Sequence, residues 1–318
     1  MRSFSDLRNF CEYIVNKYGS PQNASEEDKA EEFRHVYLGN LPLNLKTLRA
    51  IASACGISLN SIDGKKMPHN VRGFHDVFDE NRKIYYKEGD TVSGIENTIL
   101  HEFREMVEPV FAEACPDYVP LKTSAVHLAA NRFAAAVLLP RDEFEKQIYT
   151  TGFDIIALSK RYYKSCSQVL LRMGEVLQGK LFFYAALYEQ SDHTEPSWRI
   201  NYWTGSYNED CPESNIYGAD RLFPRKGHGV IAGSLVDKAI KTGKTYLVEN
   251  ITFSDDIDDS SLIGIAQPLA MPRAKPSKVA LIMMLRGDGQ MLEPQVKRTK
   301  PVVVERLDII TMGKGDQV

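Results

Sequence analysis

Near Gly179 the apolar residues change period, and that break limits the possible architectures more than any motif in the chain. Before it, Phe4, Leu7, Phe10, Cys11 and Ile14 recur at helical spacing, as do Leu45, Leu48, Ile51 and Ala52 up to Gly56. Such spacing puts one apolar stripe on a helix, because side chains three and four apart share a face. After the break, LFFYAALYEQ, RINYWTG, KTYLVENI and VALIMMLR are strand-like, with one helical stretch, GSLVDKAIKTG, among them. The helical half holds one hairpin: VRGFHDVFDENRKIYYKEGD has two alternating segments about the turn DENR. The polar SPQNASEEDKAEE is expected to form a solvated loop leading into another helix. Later helices are expected from about Gly94 to Ala114 and through SAVHLAANRFAAAVLL, ending before Pro140. A chain ordered in this way is α+β.

Charge and cysteine usage narrow the class. Among 318 residues, 39 Lys and Arg face 42 Asp and Glu, a net charge of −3. A globally basic nucleic-acid binder is not indicated, while a local basic patch stays open. No apolar run approaches the ~18–20 residues of a membrane helix. The opening MRSFSDLRNFCEYIVNKYG interrupts its apolar positions with Asp, Arg and Glu, unlike a secretory signal. Cys11, Cys55, Cys115, Cys166 and Cys211 form no CxxC pair, and their odd number suits a reducing compartment. The expectation is a cytoplasmic protein without membrane association.

The string Leu100-His101-Glu102-Phe103-Arg104-Glu105 carries the clearest chemistry. On a helix His101 and Glu105 project from one face, and Glu102 lies about 100° round. Two side chains can then grip a metal while the adjacent carboxylate reaches a water on it, as in HExxH zinc sites. Here a glutamate replaces the second histidine. A solvated helix face with a salt bridge to Arg104 is the alternative, and Glu108, seven residues after His101, is an alternative ligand. His127 lies in the next helix, among Ala129, Ala130, Ala134, Ala135 and Ala136, which permit close helix approach. Alone it is an ordinary core or surface histidine. With His101 and Glu105 it completes a two-His, one-carboxylate set that leaves an open position on zinc.

The order of a polar helical N-terminus, a GxxxVFDENRKIYY hairpin, the HExx helix and then AANRFAAAVLLP resembles the ImmA/IrrE metallopeptidases over residues 35 to 178. That family carries HExxH plus a glutamate three residues before the Ala-Asn pair. This chain has Glu105 in place of the histidine and His127 in place of the glutamate, a reciprocal exchange that preserves ligand count and charge. The resemblance implies a zincin-like domain holding Zn2+, with Mn2+ as the other candidate ion. His101, Glu105 and His127 are then the ligands and Glu102 the proton acceptor. Asn131 is either a partner to a ligand or an ordinary helix or core hydrogen-bonding residue. A helix-turn-helix transcriptional repressor is the implied protein substrate, cleaved to switch on a stress, DNA-damage or phage-defence response.

The rest of the chain has no nucleophile–base signature. FDIIALSKRYYKSCSQVLLRMGEVL looks like a helix-turn-helix, and Lys160, Arg161, Lys164 and Arg172 have to share one surface if it binds DNA. LRAIASACGISLNSI has the same look and is read as scaffold. The strand, strand, helix, strand, strand order of the last part resembles a GAF domain, which binds a small ligand or nucleic acid; a structural or dimer-forming domain is the alternative. The layout expected is 1–140 metallopeptidase domain, 141–179 helix-turn-helix-like segment and 180–318 GAF-like regulatory domain. The competing function is a non-catalytic sensor or DNA-binding transcriptional regulator on a degenerate protease scaffold.

Overall fold

The computed structural model describes residues 6–68, 71–78, 81–190, 197–206, 225–252, 262–269, 277–304 and 307–308. Phe4, the turn residues Asp79 and Glu80, and Cys211 lie outside them. The fold is α+β with two mixed sheets. The chain divides into two compact units, Met1–Arg141 and Asp142–Val318, and the helices from 141 to 179 belong to the second.

In the first unit α1 spans Leu7–Tyr18 and buries Leu7, Phe10, Cys11 and Ile14, the stripe its spacing foretold. The polar segment after it departs from expectation. Ser25 caps α2, Glu26–Phe33, in a reciprocal box with Asp28, so SEEDKAEE is helix rather than loop. Helix α3, Leu45–Ala54, is capped by Asn44 and ends at Cys55. No second helix follows: ISLNSI forms β1, Ile57–Ile62, so the helix-turn-helix look of this segment is overturned. Strands β2, Gly73–Phe78, and β3, Asn81–Lys87, pair antiparallel, and β1 lies parallel to β3, giving the order β1-β3-β2.

Thr91 caps the long α4, Val92–Ala114, and α5 spans Thr123–Leu138. Phe103 of α4 packs edge-on against Phe33 at 5.1 Å, and Phe133 of α5 meets the same ring at 5.6 Å. Phe103 is about 200° round α4 from both His101 and Glu105. Its burial therefore turns those two polar side chains away from the core. Ala130 and Ala134 are fully buried and keep α5 near α4.

The second unit begins at Asp142 within α6, Arg141–Thr151, and continues with α7, Ile155–Tyr162, and α8, Cys166–Leu177. Its strands are β4, Phe183–Gln190, β5, Trp198–Ser206, β6, Tyr246–Thr252, β7, Leu262–Leu269, β8, Lys278–Leu285, β9, Val302–Val304, and β10, Leu307–Asp308. Helix α9, Leu235–Thr242, precedes β6, and α10, Glu293–Thr299, follows β8. The strand order is β10-β6-β7-β8-β4-β5, with β9 also on β6. Strands β4 and β8 are central and bury six consecutive residues each, which explains their unbroken apolar runs. Gly174 of α8 lies where a Cβ overlaps the Thr204 side chain of β5, so a helix can approach the sheet only without a side chain there. The Arg298 guanidinium of α10 donates to the buried Asp154 at 2.6 and 3.0 Å, tying that helix to the start of α7.

Candidate metal centre

Helix α4 supplies His101, Glu102 and Glu105, α5 supplies His127, and strand β2 supplies His75. His101 Nε2 lies 3.0 Å from Glu105 Oε1, and His127 Nδ1 meets the same oxygen. The two imidazole rings are 5.7 Å apart and within 18° of parallel, flanking one carboxylate. Three groups expected from sequence as ligands are thus brought together, and their donor atoms lie within 4.8 Å of one another.

The hydrogen-bonding pattern tests whether this set suits a cation. Asn131 Oδ1 is 3.1 Å from His101 Nδ1 and can only accept, so it places the proton on Nδ1. In the neutral ring Nε2 then carries a lone pair facing Glu105. Oε1 of Glu105 is buried and receives no hydrogen bond, although ring nitrogens surround it. Only a proton or a metal ion can stabilise two acceptors held so close. In the metal-free protein burial lowers the His101 pKa, but Glu105 beside it wins and the net shift is upward. Burial likewise pushes the Glu105 carboxyl up, and His101, His127 and His75 together hold it below its usual value. The donor set, two imidazoles and one carboxylate, fits a divalent ion such as zinc. Asn131 fixes the His101 tautomer through this contact. His127 is 57% exposed, so the cluster opens to solvent on the α5 side.

Glu102 is 8% exposed and points to β2, where His75 Nδ1 donates to its Oε2 at 2.8 Å. His75 escaped the sequence analysis. Its position in the hairpin string GFHDVF was visible, but nothing local connects a strand residue to a helix 27 positions on.

Glu108, the alternative ligand by spacing, is engaged elsewhere. It accepts from Arg104 at 2.8 Å, from Tyr118 Oη at 2.6 Å and from the Leu121 N–H at 2.7 Å. Arg104 is 1% exposed and also binds both oxygens of Glu26 on α2. The solvated salt bridge expected for Arg104 is therefore a buried one, on the core side of α4. Pro109 cannot donate to the carbonyl of Glu105 one turn earlier, so that carbonyl lacks its usual helical partner.

The basic residues of the helix-turn-helix-like segment do not share a surface. Lys160 and Arg161 are exposed at the end of α7, whereas Lys164 and Arg172 are buried. Cys11, Cys55 and Cys166 are buried too, and burial raises each thiol pKa away from reactivity. Among the described residues no helix is long and apolar enough to cross a membrane.

Fold and site together define an α+β protein of two units, the first carrying a His/Glu cluster suited to a metal ion. No family model and no curated protein matches the chain. A solved structure described as a Mycobacterium tuberculosis transcriptional regulator does, at 13% identity and a TM-score of 0.52, covering 94% of this chain and 89% of that one. At that identity the likeness is one of fold.

Proposed function

We propose that the protein is a cytoplasmic, metal-dependent endopeptidase of the ImmA/IrrE kind, cleaving a helix-turn-helix repressor under control of its second, GAF-like unit. The observation carrying this reading is the convergence of His101, Glu105 and His127, whose donor atoms lie within 4.8 Å of one another. His101, Glu105 and His127 hold the ion, zinc or manganese. Such an ion supplies a Lewis acid that polarises a carbonyl and lowers the pKa of water. Glu102 takes the proton of the attacking water on its carboxylate and passes it to the leaving amine. Asn131 keeps the His101 lone pair directed at Glu105. The second unit, with its strand, strand, helix, strand order, gates cleavage on binding a small ligand or nucleic acid.

Metal content tests this directly. Purified protein is expected to carry about one divalent ion per chain, lost in His101→Ala and in His127→Ala. Glu102→Gln should keep the ion and abolish repressor cleavage. Cleavage that persists in Glu102→Gln rejects the role of that residue.

The description of the M. tuberculosis neighbour favours a second reading, a regulator that binds DNA without catalysis. It requires no metal and an operator shift lost when Lys160 and Arg161 are changed to alanine. The burial of Lys164 and Arg172 weighs against that surface.

A further inference from the structure

We propose that His75 is a positioning residue, whose Nδ1–H holds the Glu102 carboxylate in place to accept a proton. The inference rests on the peptidase reading and adds a residue from a different element. Its basis is a register between β2 and α4. Gly73 and His75 are two apart on β2 and point to the same side. Thr98 and Glu102 are four apart on α4 and share a face. A Cβ on Gly73 overlaps the Thr98 methyl, so Gly73 lies directly over Thr98. The next residue on that side of the strand, His75, then falls over Glu102, and its Nδ1 is 2.8 Å from Oε2.

Glu102 depends on this contact. Among the described residues its carboxylate has no Lys or Arg ion pair, because Arg104, two positions along, is committed to Glu26 and Glu108. The carboxylate can donate nothing, so the hydrogen-bonded His75 ring has its proton on Nδ1. With Oε2 occupied, the other oxygen is the one available to a reacting proton. His75 also approaches Glu105 Oε2, at 3.7 Å. The donor atoms of His75, Glu102 and Glu105 are close enough to hold an ion themselves. The distances favour the hydrogen bond: His75 Nδ1 is 2.8 Å from Glu102 but 3.7 Å from Glu105.

The test uses the full chain loaded with cobalt(II) and acetohydroxamic acid as a probe, since a chelating hydroxamate delivers a proton to a neighbouring acceptor. Cobalt content and hydroxamate affinity, followed by the visible spectrum, are measured for the parent, Glu102→Gln, His75→Ala and His75→Asn. All four should hold one equivalent of cobalt. Glu102→Gln and His75→Ala should each bind the hydroxamate about 10- to 100-fold more weakly, the scale of a hydrogen bond to a charged group. His75→Asn, whose amide can donate from near the ring Nδ1, should recover most of the affinity. A purely structural role predicts no such recovery. If His75→Ala does not fold, His75→Leu, with bulk but no donor, is measured in its place. Parent-like affinity without the donor overturns the proposal. A second equivalent of cobalt in the parent, lost on substituting His75, overturns it as well and makes His75 a ligand. A parent that binds no cobalt removes the peptidase reading, and the positioning role with it.

Discussion

Glu105 and Glu108 are one turn-neighbour apart on α4 and have opposite surroundings. Glu105 Oε1 is buried among ring nitrogens with no hydrogen bond, whereas Glu108 is saturated by Arg104, Tyr118 and the Leu121 amide. The bonds to Glu108 give it a structural role, while Glu105 keeps an oxygen free of them. Glu108→Ala removes the acceptor shared by Arg104, Tyr118 and the Leu121 amide, although Glu26 still pairs with the guanidinium; each buried group left without a partner costs about 1–3 kcal/mol. The variant's melting temperature should fall steeply while the folded fraction still takes up zinc. Loss of zinc from the folded fraction would transfer the ligand role to Glu108. The pairing of His101 with Glu105 was legible from the sequence, because an i, i+4 relation needs nothing beyond the helix itself. The choice between Glu105 and Glu108 was not, because it depends on what faces each side of α4.

Among elements, α2 and β2 carry most of what the sequence hid. The string SEEDKAEE has almost no apolar stripe, yet it is a helix whose Lys29 and Glu32 are buried. Glu32 accepts from Lys17, Tyr13 and Tyr18 of α1, and Glu26 accepts from Arg104 of α4. Periodicity registers apolar residues, so a helix docked through ion pairs escapes it. The capping box, Ser25 with Asp28, was the local sign that could have revealed its start. For β2 the decisive residue is Gly73. Gly73→Ala brings a methyl against the Thr98 side chain and to 2.5 Å from the Tyr85 carbonyl oxygen. Overpacking of this kind costs about 1–3 kcal/mol. Chemical denaturation should show that loss, and β2 with His75 should move off α4. Unchanged stability would mean that the strand and helix are more loosely packed than the geometry indicates.

At the scale of the molecule, the buried ion pairs of the first unit predict sensitivity to acid. Burial raises the Glu108 pKa, but its three hydrogen bonds prevail and hold it below the usual carboxylate value; Glu32 is depressed in the same manner by Lys17 and the two tyrosines. A group with a depressed folded-state pKa contributes stability that is complete above its unfolded value, about 4.3 for glutamate. That contribution is lost as pH falls through the lower folded value. Stability, followed by unfolding from about pH 7 to pH 3, should therefore fall below about pH 4.3. Glu108→Gln should show a shallower fall. An equally steep fall in that variant would place the acid sensitivity elsewhere.

The features legible in the amino-acid order are local ones. The α+β class, the hairpin, the helix carrying His101 and Glu105, and the small-residue helix carrying His127 all follow from periods of two and 3.6. The tertiary structure decided the contacts between elements distant along the chain. It set His127 on Glu105, His75 on Glu102 and Glu26 on Arg104, and turned Lys164 and Arg172 inward. The physical reason is that a side chain's direction on its own helix or strand is set by backbone geometry, while its partner is set by which faces the apolar core forces together. Phe33, Phe103 and Phe133 fill that core, and the polar cluster occupies the faces they leave.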